Sequence, residues 1–540
     1  TDSKTMPASL VVPVKLTIEC EKIADQDWMS KSDPIVIVNM KDAEGNWQKV
    51  GNTEWLKDTH DPKFATKIEM EYSFEVRQHM QFLVMDVDDP ENIEGGTMIG
   101  KLECTMGQIA GGRGCKLTKP LVGEKDGDYG VITVIAEQTK GRSTDTFKAV
   151  MGGSEILNKD GLFGKSDPFL KFFRKRADGE LEEVPGGETN KLSDTETPVW
   201  DPIAMNMMEL CNGDLDATIV IEAWDYDAMS GSDQIGVLTT TLRAVLSKEK
   251  LEMKDYKEGR DLKPGFLFMV SGGIERKPNF LDYVGAGCEL TVSFAIDFTM
   301  SNKDPSEEGS LHFKGEEPNQ YEQAMTAVGE ILVNYDHDKK FALYGYGGIP
   351  PGKEEADHAF ALTMDETDPE VEGVEGMLTC YAEAITAVKL YGPTNFADVI
   401  KQSHMIAKEQ KKQHYHILLI ITDGDITDRT ETIDAIITSA SSPMSIVIVG
   451  VGDESFEDMK MLDADGGDLK DGDGNPPPRD IVQFVPFKEC VGVEGGLAAK
   501  VLEEVPRQLL QFMCVNTKQP GSWSEGDNQF FILPEGRWAW

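Results

Sequence analysis

The sequence predicts a multidomain chain: two all-β sandwiches followed by an α/β, Rossmann-like domain. Two observations carry the prediction. A set of short motifs recurs in the same order at a nearly constant spacing through the first half, and beyond about Lys277 the apolar residues stop alternating and run continuously. A repeat of that length duplicates a whole domain, so it sets the domain count before any local reading.

The motif Lys31-Ser32-Asp33-Pro34 returns 134 positions later as Lys165-Ser166-Asp167-Pro168. Asp58-Thr59-His60-Asp61-Pro62-Lys63-Phe64 returns after 136 positions as Asp194-Thr195-Glu196-Thr197-Pro198-Val199-Trp200, and Asp86-Val87-Asp88 after 139 as Asp225-Tyr226-Asp227. Each Asp-x-Asp is followed by an Ile-Gly pair, Ile99-Gly100 or Ile235-Gly236. Alternation within the copies, as at Val12, Val14, Leu16 and Ile18 or at Val131, Thr133 and Ile135, indicates antiparallel strands, with Pro and Gly marking turns every ten or so residues.

In the third region, strands apolar on both faces are expected over 290–296, 417–421, 445–449 and 481–485, with helices over 321–333, 381–390 and 397–408 between them. Buried strands alternating with helices indicate a parallel, doubly wound sheet. The expected boundaries are 1–140 and 141–277 for the sandwiches, 278–518 for the α/β domain, and a Gly-rich aromatic tail over 519–540.

Lys and Arg total 53 against 95 Asp and Glu, a formal charge of −42 spread along all 540 residues, which excludes nucleic acid as the expected partner. An anionic membrane is repelled too unless bound cations reverse the sign locally, so membrane contact is expected to need a metal bridge. A hydrophobic share of 40% argues against disorder. Eight cysteines without a CxxC pair fit neither a zinc framework nor a dense disulfide scaffold, so a reducing compartment is expected. Apolar runs such as 417–421 and 446–449 are far shorter than the roughly 18 residues of a membrane span, and the start of the chain lacks a basic-then-apolar signal pattern.

The acidic loops are the first candidate site. Asp27 and Asp33 flank one loop of the first repeat, and Asp86 and Asp88 end the strand that contains residues 82–85. The second repeat offers Asp160, Asp167, Asp225, Asp227 and Asp233, the last three residues before Gly236. Calcium takes about 6–8 hard oxygen ligands, so carboxylates on two neighbouring loops suit it, while without metal they repel one another. The arrangement resembles the C2 domain, which implies calcium held by two top loops and bridged to phosphatidylserine or other anionic phospholipid. The copies differ: Asp27 lies six residues before Asp33 but Asp160 seven before Asp167, and Thr97 stands where the second repeat has Asp233, leaving the fifth carboxylate missing or supplied by Glu94. The basic run Lys171, Arg174, Lys175, Arg176 lies on a strand and reads as an exposed strand face, with phosphoinositide contact as the alternative.

A second candidate site lies at strand ends of the α/β domain, where such sheets bind ligands. The expected strand over 290–296 runs into Asp297-Phe298-Thr299-Met300-Ser301, and that over 417–421 into Thr422-Asp423-Gly424. A carboxylate with hydroxyls at i+2 and i+4, joined by Thr394 and Asp423 from other loops, makes the hard-oxygen, partly hydrated shell that magnesium prefers. Asp297, Thr299, Ser301, Thr394 and Asp423 resemble the metal-ion-dependent adhesion site of von Willebrand A domains, with Thr299 in place of the usual first Ser. That resemblance implies magnesium or manganese, with one coordination position completed by an acidic residue of a protein partner.

Two C2 domains before a von Willebrand A domain, with the blocks Ala295-Ile296-Asp297-Phe298-Thr299, Leu390-Tyr391-Gly392-Pro393-Thr394-Asn395-Phe396, Asp463-Ala464-Asp465-Gly466-Gly467 and Asp480-Ile481-Val482-Gln483-Phe484-Val485-Pro486-Phe487, resemble the copine family. The resemblance implies a non-enzymatic cytoplasmic protein that moves to the inner face of the plasma membrane when calcium rises and recruits protein partners there. The alternatives are a C2-targeted enzyme and an extracellular adhesion protein. Against the first, the chain has no GxGxxG after the first α/β strand, no P-loop and no GxSxG, and Gly345-Tyr346-Gly347-Gly348 reads as a turn. Against the second stand the missing signal pattern and the scattered cysteines. His414 and His416 are expected just before a strand, without function.

Overall fold

The computed structural model of the chain describes residues 11–25, 31–90, 92–138, 145–159, 164–175, 179–211, 213–227, 231–255, 263–275, 278–409, 413–463, 469–490 and 496–515. Asp27, Asp160, Arg176, the block 464–467 and the tail after Gln519 lie outside these residues, as does the side chain of Glu94. The chain divides into two compact units, one joining residues 1–137 to 280–540 and the other spanning 138–279.

In the first unit, alternating residues of β1 (Val11–Glu21) face a core and the rest face out, the period-two signature of a half-buried strand. The sandwich continues through β2 (Pro34–Lys41), β3 (Trp47–Asn52), β4 (Ile68–Ser73), β5 (His79–Asp86), β6 (Thr97–Thr105), the one-turn helix α1 (Met106–Ala110), β7 (Lys116–Pro120) and β8 (Val131–Gln138). Its sheets have the orders β4-β1-β8-β7 and β3-β2-β5-β6.

The second unit repeats this plan with β9 (Thr146–Ser154), β10 (Pro168–Lys175), β11 (Leu181–Glu188), β12 (Ile203–Asn206), α2 (Met207–Cys211), β13 (Thr218–Asp225), β14 (Asp233–Thr241), α3 (Leu242–Leu246), β15 (Leu251–Glu252) and β16 (Phe266–Glu275). Its sheet orders, β12-β9-β16-β15 and β11-β10-β13-β14, match those of the first sandwich strand for strand. The duplication extends to single hydrogen bonds: Val36 N–H donates to Thr53 Oγ1 at 2.9 Å, and Leu170 N–H to Thr189 Oγ1 at 2.8 Å. Trp200, 1% exposed, anchors the core of this unit.

The remainder of the first unit is the α/β domain. Its elements are α4 (Phe280–Gly285), β17 (Glu289–Asp297), α5 (Gln320–Leu332), β18 (Lys340–Tyr346), β19 (Gly348–Ile349), β20 (Phe360–Ala361), β21 (Glu370–Glu372), α6 (Gly373–Ala387), β22 (Lys389–Leu390), α7 (Ala397–Glu409), β23 (His414–Thr422), α8 (Arg429–Ser439), β24 (Met444–Gly450), α9 (Glu457–Leu462), β25 (Val482–Pro486), α10 (Gly496–Leu502) and α11 (Val505–Val515). The strands β18-β17-β23-β24-β25 are parallel, as expected, but β20 and β21 add antiparallel pairings at the β18 edge, so the sheet is mixed.

Two local readings are corrected. Helix α6 begins eight residues before the expected start at 381 and stops at Ala387, because Lys389 and Leu390 pair instead with Ile349 and Gly348. Gly373 and Gly376 are poor helix formers, and the buried face of Met377, Cys380, Tyr381 and Ala384 offsets that cost. His414 and His416 lie inside β23, both buried. His414 Nε2 meets the Ala407 carbonyl at 2.9 Å and His416 Nδ1 meets Thr291 Oγ1 at 2.9 Å, and burial pushes the His416 imidazole down to about 3.

Within the first unit the α/β domain packs against the base of the sandwich. Phe74, Phe280 and Tyr335 form an aromatic cluster with centroid separations of 4.7 and 5.0 Å at Phe74, and the buried hydroxyls of Tyr72 and Tyr335 hydrogen-bond each other. Arg77 pairs with Glu330 at the edge. Because β5 starts at His79 beside this contact and ends at Asp86, the acidic loops occupy the opposite end of the sandwich. Among the described residues no helix is long and apolar enough to cross a membrane.

Candidate metal centres

The described anchors of the acidic loops share one backbone frame in the two sandwiches. Pro34 and Pro168 open strands β2 and β10, where a residue without an N–H loses no ladder bond, and they face Asp86 and Asp225 across the sheet. Asp33 N–H donates to Asp86 Oδ1 at 2.6 Å, and Asp167 N–H to Asp225 Oδ1 at 2.6 Å. Asp58 and Asp194, at φ 58° and 56°, donate their N–H groups to Asp33 and Asp167 Oδ1, both at 2.8 Å. Each Asp-x-Asp strand also carries a register shift, at Val84/Met85 and at Ala223/Trp224, and bulges of this kind re-aim the side chains that follow them.

The two sets differ at the next strand. Asp225 faces Asp233 directly, whereas Asp86 faces Thr97. Like charges directly opposite on a ladder are destabilising, and Asp225 is only 3% exposed, so this pair fits a divalent cation better than its metal-free state. Asp88, Asp227 and Asp233 are exposed around these anchors. Among the described residues no three His, Cys, Asp or Glu side chains gather closely enough to hold a metal by themselves. Lys171 pairs with Glu183 and Glu188 and Arg174 with Glu182, so acids of β11 neutralise these two members of the basic run on β10.

In the α/β domain, β17 delivers Asp297 fully buried at its C-terminal end. Its Oδ1 accepts from Thr299 N–H at 2.9 Å and from Thr299 Oγ1 at 2.6 Å, and its Oδ2 from Thr422 Oγ1 at 3.0 Å and Tyr346 OH at 3.2 Å. Thr299 Oγ1 lies 2.8 Å from Ser301 Oγ, which donates to Asp423 Oδ1 at 2.8 Å. Four of the five expected ligands, Asp297, Thr299, Ser301 and Asp423, therefore form one hydrogen-bonded chain, with Ser301 exposed at its mouth. Thr394 is placed differently. Its loop runs alongside through the Thr299–Tyr391 bridge, and its carbonyl accepts Thr427 N–H at 2.8 Å, but among the described residues its hydroxyl bonds to none of the four. Gly347 closes the floor at φ 75°, where a Cβ would meet Thr299 Cγ2 at 2.4 Å.

Burial raises the Asp297 carboxyl above its ordinary range, and burial followed by the nearby Asp297 charge pushes Asp423 up to about 7. Two buried carboxylates ringed by hydroxyls are a hard-oxygen donor set that a divalent cation suits. His312 stays neutral, pushed down to about 4 by burial; its Nε2–H donates to the Asp297 carbonyl and its Nδ1 accepts from Tyr381 OH, both at 2.8 Å. Tyr346, Thr422 and His312 were not among the expected site residues. Tyr346 stands beside Asp297 in the β17/β18 register, inside the Gly-Tyr-Gly-Gly segment read as a turn, so the signal was a strand end rather than a spacing.

Known proteins give the same outline. The C2 domain pattern matches residues 14–121 and 148–257, and the copine pattern matches residues 310–521. Among solved structures, BON1-C2B is 22% identical, covering 25% of this chain and 94% of its own, at a TM-score of 0.22. The calcium-bound pair of C2 domains of Extended-Synaptotagmin 2 is 12% identical over 50% of this chain and 99% of its own, at 0.22. Human GIVD cytosolic phospholipase A2 is 12% identical over 63% of this chain and 45% of its own, at 0.20. Such TM-scores carry no functional argument. With two C2 domains ahead of a copine domain, in the order and at the positions described, the chain belongs to the copine family.

Proposed function

We propose that this chain binds anionic phospholipid through its C2 loops when calcium rises, and that its α/β domain recruits protein partners through a magnesium- or manganese-dependent site. The observation that carries the first part is the Asp225–Asp233 pair on the frame duplicated at Asp33 and Asp86. Bound calcium supplies the positive charge that a −42 protein lacks toward phosphatidylserine. Asp33, Asp86 and Asp88, with Asp27, hold it in the first domain; Asp167, Asp225, Asp227 and Asp233, with Asp160, hold it in the second.

In the α/β domain Asp297, Thr299, Ser301 and Asp423 hold the second metal, Thr394 joins from its neighbouring loop, and the exposed side of Ser301 leaves room for a partner carboxylate. The α/β domain sits at the base of the first sandwich, so the lipid loops of that sandwich and the partner site work without competing. No residue of either centre is assigned a catalytic role. The protein is placed in the cytoplasm, peripheral to the inner face of the plasma membrane.

Sedimentation with phosphatidylserine vesicles, with calcium and with chelator, tests the reading. Calcium-dependent pelleting that needs more calcium after charge-removing substitution at Asp225 is expected; pelleting unaffected by chelator sinks the reading.

A further inference from the structure

Beside each Asp-x-Asp segment a lysine ammonium lies on an aromatic ring. In the second sandwich Lys191 Nζ stands 3.9 Å from the ring centre of Tyr226, the residue between Asp225 and Asp227, and 5.4 Å from that of Phe169. In the first, Lys57 Nζ stands 4.5 Å from the ring centre of Trp55. Among the described residues these are the two shortest lysine–ring separations. The carriers are exchanged between the copies. Trp55 and Lys191 hold equivalent positions, each three residues before Asp58 or Asp194, so the position that supplies the ring in one copy supplies the ammonium in the other. Both rings are tied to the metal frame: Trp55 Nε1–H donates to the Val87 carbonyl at 2.7 Å, and Tyr226 N–H to the Asp167 carbonyl at 3.0 Å. Both lysines are exposed, and among the described residues neither makes an ion pair.

We propose that Lys57 and Lys191 select the lipid headgroup: each ammonium meets the carboxylate of phosphatidylserine and keeps the choline of phosphatidylcholine off the ring beneath it. This selection rests on the calcium-dependent reading above. Aromatic faces attract quaternary ammonium groups, so an uncovered Tyr226 or Trp55 would favour choline. A ring already holding an ammonium repels a second cation, while the same ammonium donates charge-assisted hydrogen bonds to a carboxylate. Calcium alone draws no such distinction, because both lipids present it with the same phosphate oxygens.

The test uses the full chain with vesicles of phosphatidylserine or of phosphatidylcholine, and reads the calcium needed for half-maximal sedimentation. The wild-type chain should need about tenfold less calcium on phosphatidylserine. The combined variant Lys57→Ala, Lys191→Ala, checked for folding by circular dichroism, should need about threefold less calcium than wild type on phosphatidylcholine and more on phosphatidylserine. Lys57→Arg with Lys191→Arg should keep the wild-type order, because a guanidinium also stacks on rings. Adding Tyr226→Leu to the alanine pair should take back part of the gain on phosphatidylcholine. An unmoved preference overturns the proposal, as does a gain that Tyr226→Leu leaves intact. Loss on phosphatidylserine with no gain on phosphatidylcholine overturns it too, since the lysines then act as general surface charge. A wild-type chain that sediments on neither lipid in calcium instead removes the C2 reading itself, and headgroup selection falls with it.

Discussion

Asp225 accepts the backbone N–H of Asp167 at 2.6 Å and faces Asp233 across the ladder, so one buried carboxylate both pins the loop and opposes a second charge. Asp225→Asn keeps an oxygen for that hydrogen bond and removes the charge. The calcium needed for half-maximal pelleting on phosphatidylserine vesicles should rise about tenfold or more, with the second sandwich still folded. In chelator the same variant should be more stable by about 0.5–1 kcal/mol, since opposed like charges are relieved. Asp86→Asn faces only Thr97, so it should move the calcium requirement less. Equal effects of the two variants would contradict the difference drawn between the domains.

These anchors were legible because each rests on local order. Ser-Asp-Pro and Asp-x-Asp recur at fixed offsets, and a carboxylate at a strand end keeps its place however the rest of the domain folds. Tyr346 and Thr422 were not legible in that way. They reach Asp297 through the parallel register of β17 with β18 and β23, which crossover connections set and no short spacing encodes. His414 and His416 fall before the strand only if β23 begins later than it does; in the middle of a sheet covered on both faces they are buried. The Tyr72–Tyr335 contact joins residues 263 positions apart and leaves no trace in composition.

That contact yields a double-mutant prediction. Tyr72 and Tyr335 are 1% and 3% exposed, and their hydroxyls bond to each other. Tyr335→Phe leaves the Tyr72 hydroxyl buried without a partner and should cost about 1–3 kcal/mol in chemical denaturation, whereas Tyr72→Phe with Tyr335→Phe should cost less than the single variant. Arg77→Ala should cost at most about 1 kcal/mol, because the Arg77–Glu330 pair is well exposed. A double variant as damaging as the sum of its parts would show that the two hydroxyls act independently.

At the α/β metal centre, the sign of the pH dependence follows from Asp423, raised from 3.8 to about 7 by burial and by Asp297. The folded state keeps a proton that the unfolded state releases, so this contribution to stability is full below the unfolded value and is lost as pH rises through about 7. Without divalent metal, Asp423→Asn should therefore raise the thermal midpoint at pH about 8 and change it little at pH about 4. With magnesium or manganese added the order should reverse at the higher pH, since the wild-type chain alone gains binding energy. Manganese affinity, read from the free-ion paramagnetic signal, should weaken on acidification below about pH 7 as protons compete for the carboxylate. An affinity flat across that range would exclude Asp423 as a ligand.

Asp336 offers a pH effect away from both metal centres. It follows Tyr335 at the contact with the first sandwich, is 8% exposed, and is pushed up to about 7 by burial and then by the charges of Asp338 and Glu289. As with Asp423, a raised carboxyl favours the folded state at low pH and penalises it once ionised. Asp336→Asn removes the penalty at almost constant volume. At pH about 8 it should stabilise the first unit by about 1–3 kcal/mol, an allowance below the roughly 1.4 kcal/mol per unit of the full shift. At pH about 4, where the wild-type group is protonated when folded, the two proteins should unfold together within about 0.5 kcal/mol. Urea midpoints measured across that range in chelator separate the cases: a gain that persists undiminished at the acid end would mean that the side chain acts through packing, and that its charge is not what limits this contact.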